Sequence, residues 1–365
     1  MCPGARSLQL VNSRIMNVPS RDMQTGLPRL RLATLPTPCE TAPRLAEALD
    51  LASLCIKRED LSGYALGGNK LRQLDFILAE ALEAGADMLV STAGSQSNFC
   101  RSLAGAAAKL GLGCHLLLRE STGRELQGNL LLDDIFGAEV SFTSATDPWD
   151  PAIRQALDDI AVTYRAAGRN PFIVQLTGVS VATGGAAWFS AVPELLTDFE
   201  RFGEPDIVVV AAGSGLTLAG LALGLKCAGS HARLVGVSAQ QPASRLVPLV
   251  CKTAETIALR LGLAERLHPQ DFEVIDTEIP PGYGRPSPAS VAAVRLAGRT
   301  EALVLDPVYT GKALAGLAAA VASGRYGAET KAFFVHSGGT PGLFMHDAAF
   351  AGGSRAVPLD AGQGG

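Results

Sequence analysis

The chain has 365 residues, more than a single hydrophobic core usually accommodates, so two domains or one large α/β unit is expected. Hydrophobic residues make up 47% and charged residues 18%, which excludes a disordered chain, and a net charge of −4 with scattered basic residues gives no footing for nucleic acid. No apolar run reaches the roughly 18 residues of a membrane span, so a soluble, cytoplasmic protein is expected.

Residues 1–27 carry Arg6, Arg14 and Arg21 against Asp22 and have no apolar h-region, so they read as a loose leader rather than a secretory signal. The seven cysteines are odd in number and form no C-x-x-C pair, which leaves neither a disulfide framework nor a structural zinc site. Cys100 is expected to be a small buried hydrophobe.

Short β-branched runs alternate with Ala-rich helical patterns along the rest of the chain. Met88–Thr92, His115–Arg119, Phe172–Leu176, Asp206–Ala211, Leu234–Ser238, Ala302–Leu305 and Ala332–His336 read as buried parallel strands. The fold class is α/β, with two open, largely parallel sheets. We expect a large domain from 28–79 and 181–350, a small domain from 80–180, and a tail from 351 onward.

The segments that carry chemistry follow in the same order. Gly67-Gly68-Asn69-Lys70 opens an amphipathic helix. A lysine there is either an ordinary helix-start residue or a partly desolvated amine that captures a carbonyl, with glycines letting a ring approach the backbone. Gly94-Ser95-Gln96-Ser97-Asn98-Phe99 joins a strand to a helix running from near Asn98 to Leu110-Gly111. Ser97 or Asn98 is a plain N-cap, or the helix start binds an anion.

Gly213-Ser214-Gly215-Leu216-Thr217 follows the strand 206–211 and has the makings of a phosphate cradle. It fails as a dinucleotide turn, because Leu218 stands where the third glycine belongs and the strand 234–238 is followed by no acid for a ribose. Tyr283 and Tyr309 lie in glycine- and proline-rich turns, as packing residues, pocket walls or acids. Ser337, before Gly338-Gly339, ends the last strand; His336 beside it reads as structural.

The set G-G-N-K-x-R-x-L at 67–74, Q-S-N at 96–98, D-P-V-Y-T-G-K at 306–312 and H-S-G-G at 336–339 resembles the pyridoxal-phosphate enzymes of the tryptophan synthase β type. Within them it is most similar to the aminocyclopropane-carboxylate deaminase and D-cysteine desulfhydrase family, and the likeness runs from about residue 28 to 347. The resemblance implies pyridoxal 5'-phosphate held between the two domains, a small amino-acid substrate and a homodimer. Lys70 would hold the cofactor and move the proton at Cα. Ser97, with the N–H groups of Asn98 and Phe99, would take the substrate carboxylate, and the Asn98 side chain the cofactor's phenolic oxygen. Ser214, Gly215, Leu216 and Thr217 would cradle the phosphate, Ser337 would bond the pyridine nitrogen, and Tyr283 and Tyr309 would flank the substrate.

Ring-opening deaminases carry glutamate where this chain has Thr310, a residue expected to touch substrate, so β-elimination from a substrate such as D-cysteine is implied rather than deamination. The chain departs from the family at Phe99, where relatives carry histidine, and at 181–186, where substrate recognition is expected; L-cysteate sulfo-lyase activity stays open. Outside the class stands a non-catalytic cofactor-binding protein.

Overall fold

A computed structural model describes residues 19–119, 125–145 and 147–351. In chain order, β1 (Ser20–Arg21) and β2 (Pro28–Arg29) form an antiparallel ribbon, and β3 (Cys39–Thr41) and β4 (Ser53–Lys57) begin a six-stranded sheet. β5 (Met88–Gly94), β6 (Gly113–Arg119), β7 (Glu139–Thr143) and β8 (Pro171–Val174) make a four-stranded sheet. β9 (Ile207–Ala212), β10 (Arg233–Ser238), β11 (Phe272–Ile275) and β12 (Lys331–Val335) complete the larger one.

The small sheet has the order β7-β6-β5-β8 and is parallel throughout; the large sheet runs β11-β10-β9-β12-β4-β3 and is parallel except at the β3 edge. Each order reverses once. In the small sheet the chain winds outward from β5 through β7 and returns as β8 on the other side of β5; in the large sheet it winds from β9 to β11 and returns as β12 on the other side of β9. At such a reversal the neighbouring crossovers leave in opposite directions and open a crevice beyond the strand C-termini.

Strands of this kind are apolar along their whole length because both faces are covered. β9, Ile-Val-Val-Val-Ala-Ala, is buried at every position, with Val208 and Val210 in one core cluster and Val209 and Ala211 in the other. The helix Lys70–Glu83 is buried on nearly all sides, because it packs against both the helix Val181–Ser190 and the helix Asn98–Leu110. The latter ends as the sequence indicates, with Gly111 at φ +72° accepting the left-handed conformation that closes a helix.

Four expectations change. Ala302–Leu305 is not a strand: Ala302 closes the helix Pro288–Glu301, and Leu303 and Leu305 bury their side chains without pairing to a neighbour. A short apolar run satisfies either use. Residues 19–27 of the expected leader are ordered into the structure, since Asp22 is buried and accepts hydrogen bonds from Ser190 Oγ (2.9 Å) and Arg29 Nη1 (2.9 Å). β4, β7 and β11 were not among the expected strands. Segment 181–186 is packing rather than pocket: a Cβ on Gly185 would strike Ile257 and one on Gly220 the Gly185 carbonyl, so these glycines let helices approach. Residues 1–18 and 352–365 lie outside the described residues.

A buried ionic cluster joins the central helix to the large sheet. Arg72 donates from Nε to Glu59 Oε2 (2.8 Å), from Nη2 to Glu59 Oε1 (2.7 Å) and to Glu194 Oε1 (2.7 Å). Lys57, fully buried on β4, donates to Glu194 (2.7 Å), Asp198 (2.6 Å) and the Thr37 carbonyl (2.8 Å). Burial by itself would raise the Glu194 carboxyl, but the Arg72 and Lys57 charges outweigh it and hold the group at about 2.

Breaking such a pair strands an unpaired charge. Arg72→Met, close in volume, is expected to cost about 3–5 kcal/mol, read as a lower urea midpoint of the purified protein. Because the Glu194 pKa is depressed from 4.5 to about 2, its contribution is complete above pH 4.5 and is lost as the pH falls towards 2. Acid titration followed by circular dichroism should show that loss in the native protein and a smaller one in Glu194→Gln.

Candidate active site

The loops beyond both reversals converge on one cavity. It is lined by Asn69 and Lys70 after β4, Ser97, Asn98 and Phe99 after β5, Gly213 to Leu218 after β9, and Ser337 and Gly338 after β12. Tyr283, Tyr309, Arg119, Trp149 and Thr92 complete the wall. Every residue to which the resemblance gave a cofactor or substrate role is on this wall except Thr310. That residue is buried, donates from its hydroxyl to Asp306 Oδ1 (2.7 Å), and helps Asp306 anchor the turn that presents Tyr309. The expectation that its side chain touches substrate is therefore corrected: it acts one residue away from the cavity.

Lys70 is the first residue of its helix, half-buried, with no carboxylate on the cavity wall among the described residues to pair with. Burial pushes its amine down to about 8, and the positive end of the helix disfavours the cation further. A neutral amine near physiological pH is a nucleophile.

The turn before it is held by a backbone contact between the glycine pairs at 67–68 and 338–339. Gly68 (φ +113°) and Gly338 (φ +90°) pack so closely that a Cβ on Gly338 would lie 2.7 Å from the Gly68 Cα. The Asn69 N–H donates to the Ser337 carbonyl (3.0 Å), and Arg101 Nη2 reaches across from the small-sheet side to the Gly67 carbonyl (2.7 Å). The Ser337 hydroxyl makes no hydrogen bond among the described residues, which leaves it for a ligand on the cavity side.

After β9, Gly215 (φ +81°) turns the chain into the helix Leu216–Cys227, whose first N–H groups have no intrahelical acceptors. Thr217 Oγ1 accepts from Asn69 Nδ2 (3.1 Å), so its own proton is free to donate elsewhere. This is an anion cradle linked to the lysine turn by one hydrogen bond.

Ser97 caps its helix, accepting from the N–H groups of Phe99 (3.2 Å) and Cys100 (3.2 Å). A carboxylate at this helix start would compete with the serine oxygen for those donors. Asn98 Oδ1 accepts from Asn129 Nδ2 (3.0 Å), which turns the Asn98 amide NH2 away as a donor. Asn129 also grips the Gln96 carbonyl (2.9 Å). Nothing in the sequence singled out Asn129, because its partner loop lies more than thirty residues away.

Tyr283 and Tyr309 share a hydroxyl–hydroxyl hydrogen bond of 2.5 Å, with rings 6.1 Å apart at 72°. Tyr283 is 47% exposed, whereas burial and the neighbouring phenol raise the Tyr309 pKa well above its ordinary value, so it stays protonated as a donor. Lys312 holds the Tyr283 loop by donating to the carbonyls of Ile279 (3.0 Å) and Gly282 (3.3 Å). Cys100 is buried with its thiol pKa raised well above normal, mainly by burial, which makes it the inert packing residue expected.

Residues 30–338 match the family described as "Pyridoxal-phosphate dependent enzyme". A D-cysteine desulfhydrase of Klebsiella pneumoniae (strain 342) is 39% identical over 327 residues, which are 88% of this chain and 97% of that protein. One of Salmonella typhi is 38% identical over 328 residues, with the same coverage. A crystal structure described as that of "the ACC deaminase homologue" superposes with a TM-score of 0.80 at 32% identity, covering 88% of this chain and 95% of the other.

The side chains suit the cofactor that gives this family its name. An amine near neutrality faces the cavity for its aldehyde, orphan N–H groups and the Thr217 hydroxyl for its phosphate, an amide NH2 for its phenolic oxygen and a hydroxyl for its ring nitrogen. Gly213 leaves open the space beside the Tyr309 ring, 3.3 Å from where a Cβ would sit. By this fit and by sequence over most of its length, the chain belongs to the pyridoxal-phosphate dependent enzymes.

Proposed function

We propose that the protein is a lyase that eliminates the β-substituent of a small amino acid such as D-cysteine, giving pyruvate, ammonia and sulfide. The observation that carries this reading is the desolvated Lys70 amine facing a carboxylate site at the helix start and a hydrogen-bonded tyrosine pair across one cavity. Bound pyridoxal phosphate supplies the electron sink that acidifies the substrate's Cα–H bond.

Lys70 would hold the cofactor through its amine, and the same amine would take the proton from the substrate's Cα. The N–H groups beyond Ser97 fix the substrate carboxylate, which sets which bond at Cα faces Lys70. Asn98 and the cradle from Ser214 to Thr217 keep the ring in place. Ser337 would offer a neutral hydroxyl to the ring nitrogen, which would leave it without a full positive charge and suit elimination, where the departing group carries electrons away. Tyr309 donates a proton to the leaving group, and Tyr283, exposed to solvent, replenishes it through their shared hydrogen bond.

The D-cysteine desulfhydrases among the relatives support the substrate. The deaminase homologue supports a second reading, ring opening of aminocyclopropane carboxylate to 2-oxobutyrate and ammonia. Division into a large domain of 28–79 and 181–350 and a small one of 80–180 agrees with strand membership of the two sheets. A homodimer in the cytoplasm is proposed on the family resemblance.

The deciding assay offers the loaded enzyme D- and L-cysteine, cysteate, D-serine and aminocyclopropane carboxylate, and separates pyruvate from 2-oxobutyrate. Pyruvate with sulfide is expected; 2-oxobutyrate from the cyclopropane would replace this reading with the deaminase. Lys70→Ala should lose the visible absorbance of bound cofactor together with turnover, and retained turnover would refute the assignment. Because the amine of Lys70 titrates at about 8, capture of added cofactor by the stripped protein should slow about tenfold for each pH unit below that value. Stopped-flow absorbance across pH 6 to 9 tests the dependence.

A further inference from the structure

Among the described residues, the cavity wall carries two cations, Lys70 and Arg119, and no carboxylate. Lys70 is committed to the cofactor. Arg119 is the last residue of β6, half-buried, and its side chain makes no ion pair or hydrogen bond among the described residues. Asp147, Tyr283 and Tyr309 act on it through space only, and burial, the largest influence, works against its charge. A guanidinium kept partly out of water, with no carboxylate in contact among the described residues, is suited to take an anion from a ligand.

Its place in the sheet says which anion. In the β5–β6 register Arg119 stands opposite Gly94, the start of the loop that ends in the helix N-terminus at Asn98. Its backbone is therefore one strand spacing, ~4.8 Å, from Gly94, where that loop begins. The phosphate cradle, by contrast, belongs to β9 of the other sheet. Arg119 lines the same cavity as Tyr283 and Tyr309, the pair assigned above to the leaving group.

Resting on the elimination reading above, we propose that Arg119 is a specificity residue that binds a negatively charged group on the substrate's β-carbon, so that amino acids with an anionic β-substituent are the preferred class. As Lys70 takes the Cα proton, the bond from Cβ to the substituent breaks and its electron pair leaves with the substituent. The guanidinium offsets the charge that grows there.

The test uses the cofactor-loaded wild type, Arg119→Gln and Arg119→Lys. Binding of aspartate and of its neutral isostere asparagine, neither of which has a β-leaving group, is titrated for both enantiomers through the change in cofactor absorbance. Turnover of cysteate and O-phosphoserine is compared with that of the neutral β-chloroalanine. Aspartate is expected to bind the wild type more tightly than asparagine. In Arg119→Gln that preference should collapse, and kcat/KM for the anionic substrates should fall about 10- to 100-fold with β-chloroalanine nearly unchanged. Arg119→Lys should recover part of it.

Equal losses for charged and neutral amino acids would assign Arg119 to the α-carboxylate and overturn the proposal, as would an unchanged aspartate-to-asparagine ratio. If the wild type makes pyruvate from none of the substrates, the elimination reading fails, while the binding ratio still decides the role of Arg119.

Discussion

The geometry of the cavity depends on the buried ionic cluster that surrounds Arg72. The helix Lys70–Glu83 lies between the two sheets, buried on almost every face, and apolar packing alone would leave it free to slide or rotate. Directional hydrogen bonds from Arg72 to Glu59 and Glu194, and from Lys57 to Glu194 and Asp198, remove that freedom. Low dielectric makes each bond strong and each missing partner expensive, so the cluster has one satisfactory arrangement. Arg72 lies two residues beyond Lys70, and fixing one fixes the other.

The glycine contact between the lysine turn and the loop after β12 works in the same direction by steric means. Gly68 and Gly338 bring two backbones together at a distance that no side chain tolerates, so the amine of Lys70 and the hydroxyl of Ser337 face one cavity. Arg101 and Asn129 then join this arrangement to the small sheet through the carbonyls of Gly67 and Gln96. Rigid first contacts and a second layer of hydrogen bonds are what place reacting groups accurately.

Charge on the wall follows a division of labour. In the proposed reaction, backbone N–H groups at two helix starts would serve the anions that every substrate and the cofactor share. The tyrosine pair would supply protons without a fixed charge. Arg119 would then be the permanent charge of the site, and so the group to tell one substituent from another.

How much of this was legible in the sequence depends on the range of the interaction. The α/β class, the glycine turn before Lys70, the Gly111 helix stop and the cradle after β9 follow from local rules, because periodicity, positive φ and free helix ends are properties of a few neighbouring residues. The apolar run 302–305 shows the limit of those rules, since burial without pairing looks the same as a strand. Only the tertiary structure decided that Thr310 turns to Asp306 and away from the cavity, and that segment 181–186 packs helices. It likewise brought Asn129 to Asn98 and put Arg119 on one cavity wall with the tyrosines, with no side-chain ion pair among the described residues. These outcomes join residues tens to hundreds of positions apart, and which of two polar groups meets a third is settled by the packing of sheets, to which no single stretch of chain refers.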